Sequence, residues 1–101
     1  MPLLEGIEVT KRFYEAIDRL IELGEIKGKQ TFCRDYDIDK RNFYLIRREP
    51  EKHLMNVAWL SHLVKDYPVS AHWLLTGRGT MIKKQMSITH NPKQLISSLS
   101  L

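Results

Sequence analysis

The stretch KQTFCRDYDIDKRNFYLI, residues 29–46, decides the fold. Its apolar and small residues stand at the spacing of two short helices that cross closely, and they are Phe32, Cys33, Tyr36, Ile38, Phe43 and Ile46. Residues three or four apart share one side of a helix, so these side chains form one inward surface. Cys33 lies where the helices come nearest, because only a small side chain fits there. The spacing predicts helices over about 29–36 and 40–48, joined by a sharp turn.

The predicted turn, Tyr36-Asp37-Ile38, carries its own chemical signals. Asp37 stands where a turn of this kind usually requires a left-handed backbone, and Asp adopts that conformation more easily than most residues do. Asp39 is a good N-cap for the second helix. Pro50 forbids continuation of that helix, and it also disfavours helical geometry at the residue before it.

Two helices with this spacing are typical of a DNA-binding helix-turn-helix, whose second helix enters the major groove. The second helix begins with Lys-Arg-Asn at residues 40–42 and closes with Arg47-Arg48, so its outer side is rich in groups that bind phosphates or base edges. The part of the helix that reaches base edges is predicted to carry Lys40, Arg41, Asn42 and Tyr44. Arg41 has the donors to pair with guanine and Asn42 the groups to pair with adenine, each worth about 1–3 kcal/mol of discrimination. Pointing sideways toward the bundle is the alternative orientation for Asn42. The alternative interpretation is a plain helical hairpin with a solvated basic face.

The predicted interface extends beyond these four residues. Arg47 and Arg48 lie farther along the helix, where phosphates are the expected contacts. Lys29 begins the first helix, where backbone N–H groups and a cation together can hold a phosphate. The full predicted DNA-binding set is Lys29, Gln30, Lys40, Arg41, Asn42, Tyr44, Arg47 and Arg48.

The rest of the chain also predicts helices. A first helix is expected over about residues 10–23, ended by Gly24, from apolar residues at helical spacing: Val9, Phe13, Ile17, Leu20 and Ile21. A fourth is expected over about 54–66, with Val57, Leu60, Val64 and Tyr67 on one stripe and Trp59 and Leu63 beside it. A fifth follows Ser70 as N-cap, buries Trp73 and Leu74, and stops at Gly77.

No strand alternation and no internal repeat is visible, so the fold is predicted to be all-α. We expect a compact five-helix domain over residues 1–82, followed by a short tail over residues 83–101. The tail carries an apolar patch that is a candidate dimer contact, made of Leu95, Ile96, Leu99 and Leu101.

Composition excludes several classes of protein. A chain of 101 residues with 43% hydrophobic residues suits one folded domain and argues against disorder. No apolar run approaches the roughly 20 residues that cross a bilayer, and no basic segment precedes an apolar one as in a secretory signal. A single cysteine forms no internal disulfide, which is compatible with the reducing cytoplasm. We therefore expect a cytoplasmic protein without a membrane association.

No chemistry beyond binding is predicted. The four histidines, at positions 53, 62, 72 and 90, lack the spacing of metal ligands, and Ser61-His62 is not a catalytic pair because neighbours on a helix point in different directions. Gly77-Arg78-Gly79 is too short for a phosphate-binding loop. The sequence predicts no catalytic residue, no metal, no cofactor and no small-molecule ligand.

Charge is distributed unevenly along the chain, whose formal net charge is +4. Residues 1–24 carry three basic and five acidic side chains. Residues 25–53 carry eight basic and six acidic side chains, and residues 54–101 carry five basic side chains and one acidic side chain. Such an asymmetry suits a protein that holds one face against a polyanion and another face away from it.

Residues 9–82 resemble the DNA-binding domain of phage-repressor-type helix-turn-helix regulators, the lambda repressor and Cro family. The ending WLLTGRGTM, residues 73–81, is similar to the WLLTGxGxM ending of many bacterial and prophage members, and RFYEAIDRLIELGEI, residues 12–26, is similar to their first helix. Asp37 stands where the family usually has Gly, and Cys33 where it has Ala. The resemblance implies a lambda-repressor-like domain whose WLLTG segment closes the helical bundle. Longer members carry a self-cleaving C-terminal domain, for which this chain has no room.

The hypothesis from the sequence is a DNA-binding transcriptional regulator, by default a repressor, that binds double-stranded DNA as a homodimer on a pseudo-palindromic site. Two alternatives stay open. One is a protein-interaction module of antitoxin or anti-repressor type that keeps the fold. The other is a DNA-architectural or recombination accessory protein with little sequence preference.

Overall fold

The computed structural model describes residues 4–83 and shows an all-α protein, as predicted. Five helices run in this range: α1 (Leu4–Glu22), α2 (Lys29–Asp35), α3 (Lys40–Arg48), α4 (Val57–Asp66) and α5 (Ala71–Thr76). The chain divides into a first unit ending at Asn56, with α1 to α3, and a second unit beginning at Val57, with α4 and α5. The predicted apolar patch of the tail, residues 95–101, lies outside the described residues.

Helix α1 is longer than predicted at its beginning. It starts at Leu4, six residues before the expected start, and its first two turns are mostly exposed. These turns bury little apolar surface, since Leu4 is 69% exposed, so periodicity gave only a weak sign of them. The end is as predicted, because Gly24 has a φ of 81° and donates its N–H to the carbonyl of Ile21 at 3.1 Å.

The core of the first unit is aromatic. The side chains of Phe13, Phe32 and Phe43 are fully buried, one from each helix. The ring centroid of Phe13 lies 6.0 Å from that of Phe32 and 6.1 Å from that of Phe43, both in edge-to-face arrangements. Ile17 and Leu20 are also fully buried, as predicted. Because one ring from each helix meets at this point, the cluster fixes how α2 and α3 pack against α1.

The predicted turn between α2 and α3 is confirmed. Asp37 has a φ of 55° and is the only non-glycine residue with positive φ among residues 4–83. The N–H of Ile38 donates to the carbonyl of Cys33 at 2.8 Å and closes the turn. Cys33 is buried, and the Asp39 carboxylate caps α3 by accepting the N–H of Arg41 at 3.1 Å. The bounds of α3 are therefore those that the sequence predicts.

Asp37→Val should lower the free energy of unfolding by about 1–2 kcal/mol, because a β-branched side chain is strained in the left-handed region. Asp37→Gly should change it little, since Gly relieves strain but gains entropy in the unfolded chain. Urea unfolding followed by circular dichroism measures both. A valine variant as stable as the unaltered protein would show that the turn is not strained.

Helix α4 differs from its prediction at its start and in its buried side. Leu54 and Val57 are 79% and 73% exposed, so no burial favours extending the helix back to Leu54, and it starts at Val57. Trp59 and Leu63, predicted beside the stripe, are buried. Of the predicted stripe itself, Val57 is exposed, and Leu60, Val64 and Tyr67 are only half-buried. The predicted stripe was wrong because the apolar surface is broad enough to offer two stripes, and packing selects one of them.

Helix α5 forms as predicted. The Ser70 hydroxyl accepts the N–H of Trp73 at 3.1 Å, and Gly77 ends the helix with a φ of 79°. Trp73 and Leu74 are buried. The segments on either side of this helix pair in one antiparallel bridge between Val69 and Ile82.

Candidate nucleic-acid interface

The first turn of α3 presents three polar side chains to solvent. Lys40, Arg41 and Asn42 are exposed, and none of their side chains forms a hydrogen bond or ion pair with another described residue. The backbone that carries them is fixed by the Asp39 cap and by the closed turn before it. Donors on a rigid backbone, without internal partners, are available to a polar ligand.

The outward side of α3 continues beyond its first turn. Arg48 is exposed and lies seven residues after Arg41, on the same side of the helix, while Phe43 and Ile46 are buried on the opposite side. Leu45 lies between the two arginines in this row and is half-buried. The sequence prediction missed Leu45, although its helical spacing from Arg41 and Arg48 would have revealed it.

Tyr44 connects α3 with the beginning of α2. Its side chain is half-buried, and its ring stands edge-on to that of Phe43 with 5.7 Å between the centroids. Tyr44 lines a shallow open cavity of about 470 Å³ together with Lys29, Gln30 and Thr31. Gln30 is exposed at this edge. The structure thus brings the predicted residues of α2 and the middle of α3 to one continuous surface.

Two predicted DNA-binding cations are already engaged with a carboxylate. The Asp18 carboxylate, on α1, accepts both Nη1 and Nη2 of Arg47, at 3.2 and 3.0 Å. The Lys29 ammonium lies 3.2 Å from Oδ1 of the same carboxylate. A phosphate bound by Lys29 or Arg47 would therefore compete with Asp18. Sequence analysis missed Asp18, since three separate helices must pack before these charges meet.

Arg47 is held on its other side by Tyr14. Its guanidinium lies 5.8 Å from the centroid of the Tyr14 ring. The Tyr14 hydroxyl is buried and donates to the carbonyl of Phe43 at 2.7 Å, and burial raises the pKa of that hydroxyl well above its usual value. The contacts from Tyr14 and Asp18 therefore restrain the last turn of α3 against α1.

Partial burial acts to raise the pKa of Asp18, but the hydrogen bonds from Arg47 and Lys29 outweigh it and hold the pKa below its usual 3.8. A carboxyl whose pKa is lower in the folded state contributes stability above its unfolded pKa, and this stability is lost as the pH falls through the folded value.

The unaltered protein should therefore lose more stability than Asp18→Asn between about pH 5 and pH 2. Thermal unfolding of both proteins across this range measures the difference. Parallel curves for the two proteins would show that the Asp18 ion pairs contribute nothing to folding. Because Glu49 also has a lowered pKa, through its hydrogen bond with His53, the comparison between the two proteins is needed to isolate Asp18.

Other types of site are not formed within residues 4–83. In this range no three His, Cys, Asp or Glu side chains group in a way that could hold a metal ion. None of its helices is long and apolar enough to cross a lipid bilayer. Comparison with protein-family models, curated proteins and solved structures finds no match for this chain.

Proposed function

We propose that this protein is a sequence-specific transcriptional regulator that inserts α3 into the major groove of double-stranded DNA. The observation that supports this best is the first turn of α3. Its cationic and amide side chains, on residues 40–42, are exposed and without internal partners, on a helix held rigidly by the Asp37 turn and the Asp39 cap. An α-helix with such a surface fits the width of the major groove.

The side chains of α3 suggest a division of roles. Arg41 has the donor geometry for guanine, and Asn42 has the donor and acceptor for adenine. Leu45, in the same row as Arg41 and half-buried, offers an apolar contact to a thymine methyl group. Arg48, at the far end of the row, is assigned to a phosphate, where a contact fixes the register of the helix without reading sequence.

The proposal includes a homodimer that binds two half-sites. One short recognition helix covers too few base pairs for high specificity, and two copies about one helical turn of DNA apart supply both affinity and discrimination. The dimer contact itself stays a prediction for the apolar residues of the tail. Repression by occupying a promoter is the default mode of action.

Selection from a pool of random-sequence DNA duplexes, at several salt concentrations, tests the function. We expect enrichment of one two-fold symmetric motif and affinity that falls steeply with salt. Salt-sensitive binding without an enriched motif would favour an architectural or accessory protein instead. No binding to the pool would favour a protein-interaction module.

A matched pair of variants sharpens this selection. Replacing Lys40 and Arg41 together by Ala removes two exposed cations from α3 and should abolish motif enrichment. Replacing Lys65 and Arg78 by Ala removes two exposed cations from the second unit and should preserve the motif. Equal behaviour of the two variants would contradict the assignment of α3 as the reading helix.

A further inference from the structure

The ion-paired cluster of Asp18, Lys29 and Arg47 places an acidic group among the cations of the candidate interface. Three contacts of 3.0 to 3.2 Å join the two Asp18 carboxylate oxygens to the Lys29 ammonium and to both Nη atoms of the Arg47 guanidinium. The three residues belong to α1, α2 and α3, so the cluster forms only in the folded unit. Its net charge is +1, one less than the two cations would have without Asp18.

The cluster is accessible enough to exchange partners. The side chains of Asp18, Lys29 and Arg47 are 42%, 26% and 35% exposed. Ion pairs at this exposure are weak and screened, and a DNA phosphate is an alternative anionic partner for the same donors. Arg41 and Asn42 have no hydrogen bond or ion pair with the carboxylate, so the base-reading residues are outside this competition.

We infer that Asp18 is a specificity-determining residue, because it competes with DNA phosphates for Lys29 and Arg47 and so weakens binding to non-cognate DNA selectively. This inference rests on the DNA-binding function proposed above. Non-specific binding is essentially electrostatic, so a competing carboxylate opposes all of its driving force. Site-specific binding adds base contacts that Asp18 does not oppose.

Asp18 also favours binding in one respect, because it orders the Arg47 side chain, and this benefit is limited to the cognate complex. The bidentate contact orders the Arg47 guanidinium, and an ordered donor loses less entropy when a phosphate binds in a fixed position. Phosphates hold fixed positions only when α3 is seated on its own site. On non-cognate DNA the phosphate positions vary. The ordering of Arg47 then gives no gain in entropy, and only the competition between Asp18 and the phosphates remains, which weakens binding.

Asp18→Asn in the full chain tests this inference, with Glu8→Gln as the matched control. Glu8 is an exposed carboxylate on the same helix, without a hydrogen bond or ion pair to another described residue, so its loss changes the net charge equally. Affinities for the selected motif and for a random duplex are measured across a salt series. Asp18→Asn should raise the affinity for random duplex about fivefold near 0.1 M salt. The slope of log affinity against log salt concentration should steepen by about one, which corresponds to about one additional phosphate contact.

The ratio of specific to non-specific affinity should fall in Asp18→Asn and stay unchanged in Glu8→Gln. Asp18→Glu keeps the charge and the ion pairs, so it should retain the ratio of the unaltered protein. A variant that had lost its fold would not retain this ratio. Identical ratios in the Asn and Gln variants would overturn the inference while DNA binding stands. Absence of DNA binding by the unaltered chain would overturn the proposed function as well.

Discussion

Phe43→Ala should lower the free energy of unfolding by about 3–5 kcal/mol, the largest effect that we expect from one substitution in the first unit. The Phe43 side chain is fully buried, and its ring centroid lies 5.1 Å from that of Tyr14, 6.1 Å from that of Phe13 and 6.2 Å from that of Phe32. Alanine would leave a cavity at the point where all three helices meet. Since small domains are stable by only about 5–15 kcal/mol, this loss removes a large share of the stability and should lower the melting temperature strongly.

Phe43→Leu is the control for this prediction. It keeps most of the apolar volume and should lose less than half as much stability as the alanine variant. Urea unfolding followed by circular dichroism compares the two. A loss below about 1 kcal/mol in the alanine variant would show that Phe43 does not support the packing of α3 against α1 and α2.

Arg41→Ala should weaken binding to the selected motif by about 1–3 kcal/mol and remove the preference at one base position. Arg41 is exposed, and its side chain has no hydrogen bond or ion pair with a described residue, so its removal should leave folding unchanged. Binding to random duplex should weaken only by the loss of one cation. Repeating the random-pool selection with this variant measures the preference position by position.

Lys65→Ala removes one exposed cation from α4 and serves as the control for charge. It should leave the motif intact at every position. If Arg41→Ala selected the same motif with the same affinity as the unaltered protein, the base-reading role of Arg41 would be wrong. Lys29→Ala should behave differently from both, because a phosphate contact weakens all sites alike.

Local chemistry explains why α3 and its turn could be predicted from the sequence. Asp37, Asp39 and Pro50 each act on the backbone within a few residues, through a left-handed turn, a cap and a missing N–H donor. Such signals do not depend on the rest of the fold. The same holds for Ser70 and Gly77, which bound α5 as predicted.

Tertiary packing explains the parts that the sequence did not reveal. The exposed beginning of α1 buries little apolar surface, and the choice of Trp59 and Leu63 as the buried side of α4 depends on the packing of the folded chain. The pairing of Asp18 with Arg47 spans 29 residues. The sequence spacing predicts phosphate contacts for Arg47. The structure shows that Arg47 is paired with the Asp18 carboxylate of its own chain.

The central claim, that α3 is the surface that meets DNA, is tested most directly by mapping amide chemical shifts of the labelled protein during titration with the selected duplex. We predict that the largest shifts fall on residues 40–48 and on the beginning of α2 at residues 29–31. Saturable binding with the largest shifts elsewhere, and with the amides of α3 unmoved, would contradict the claim.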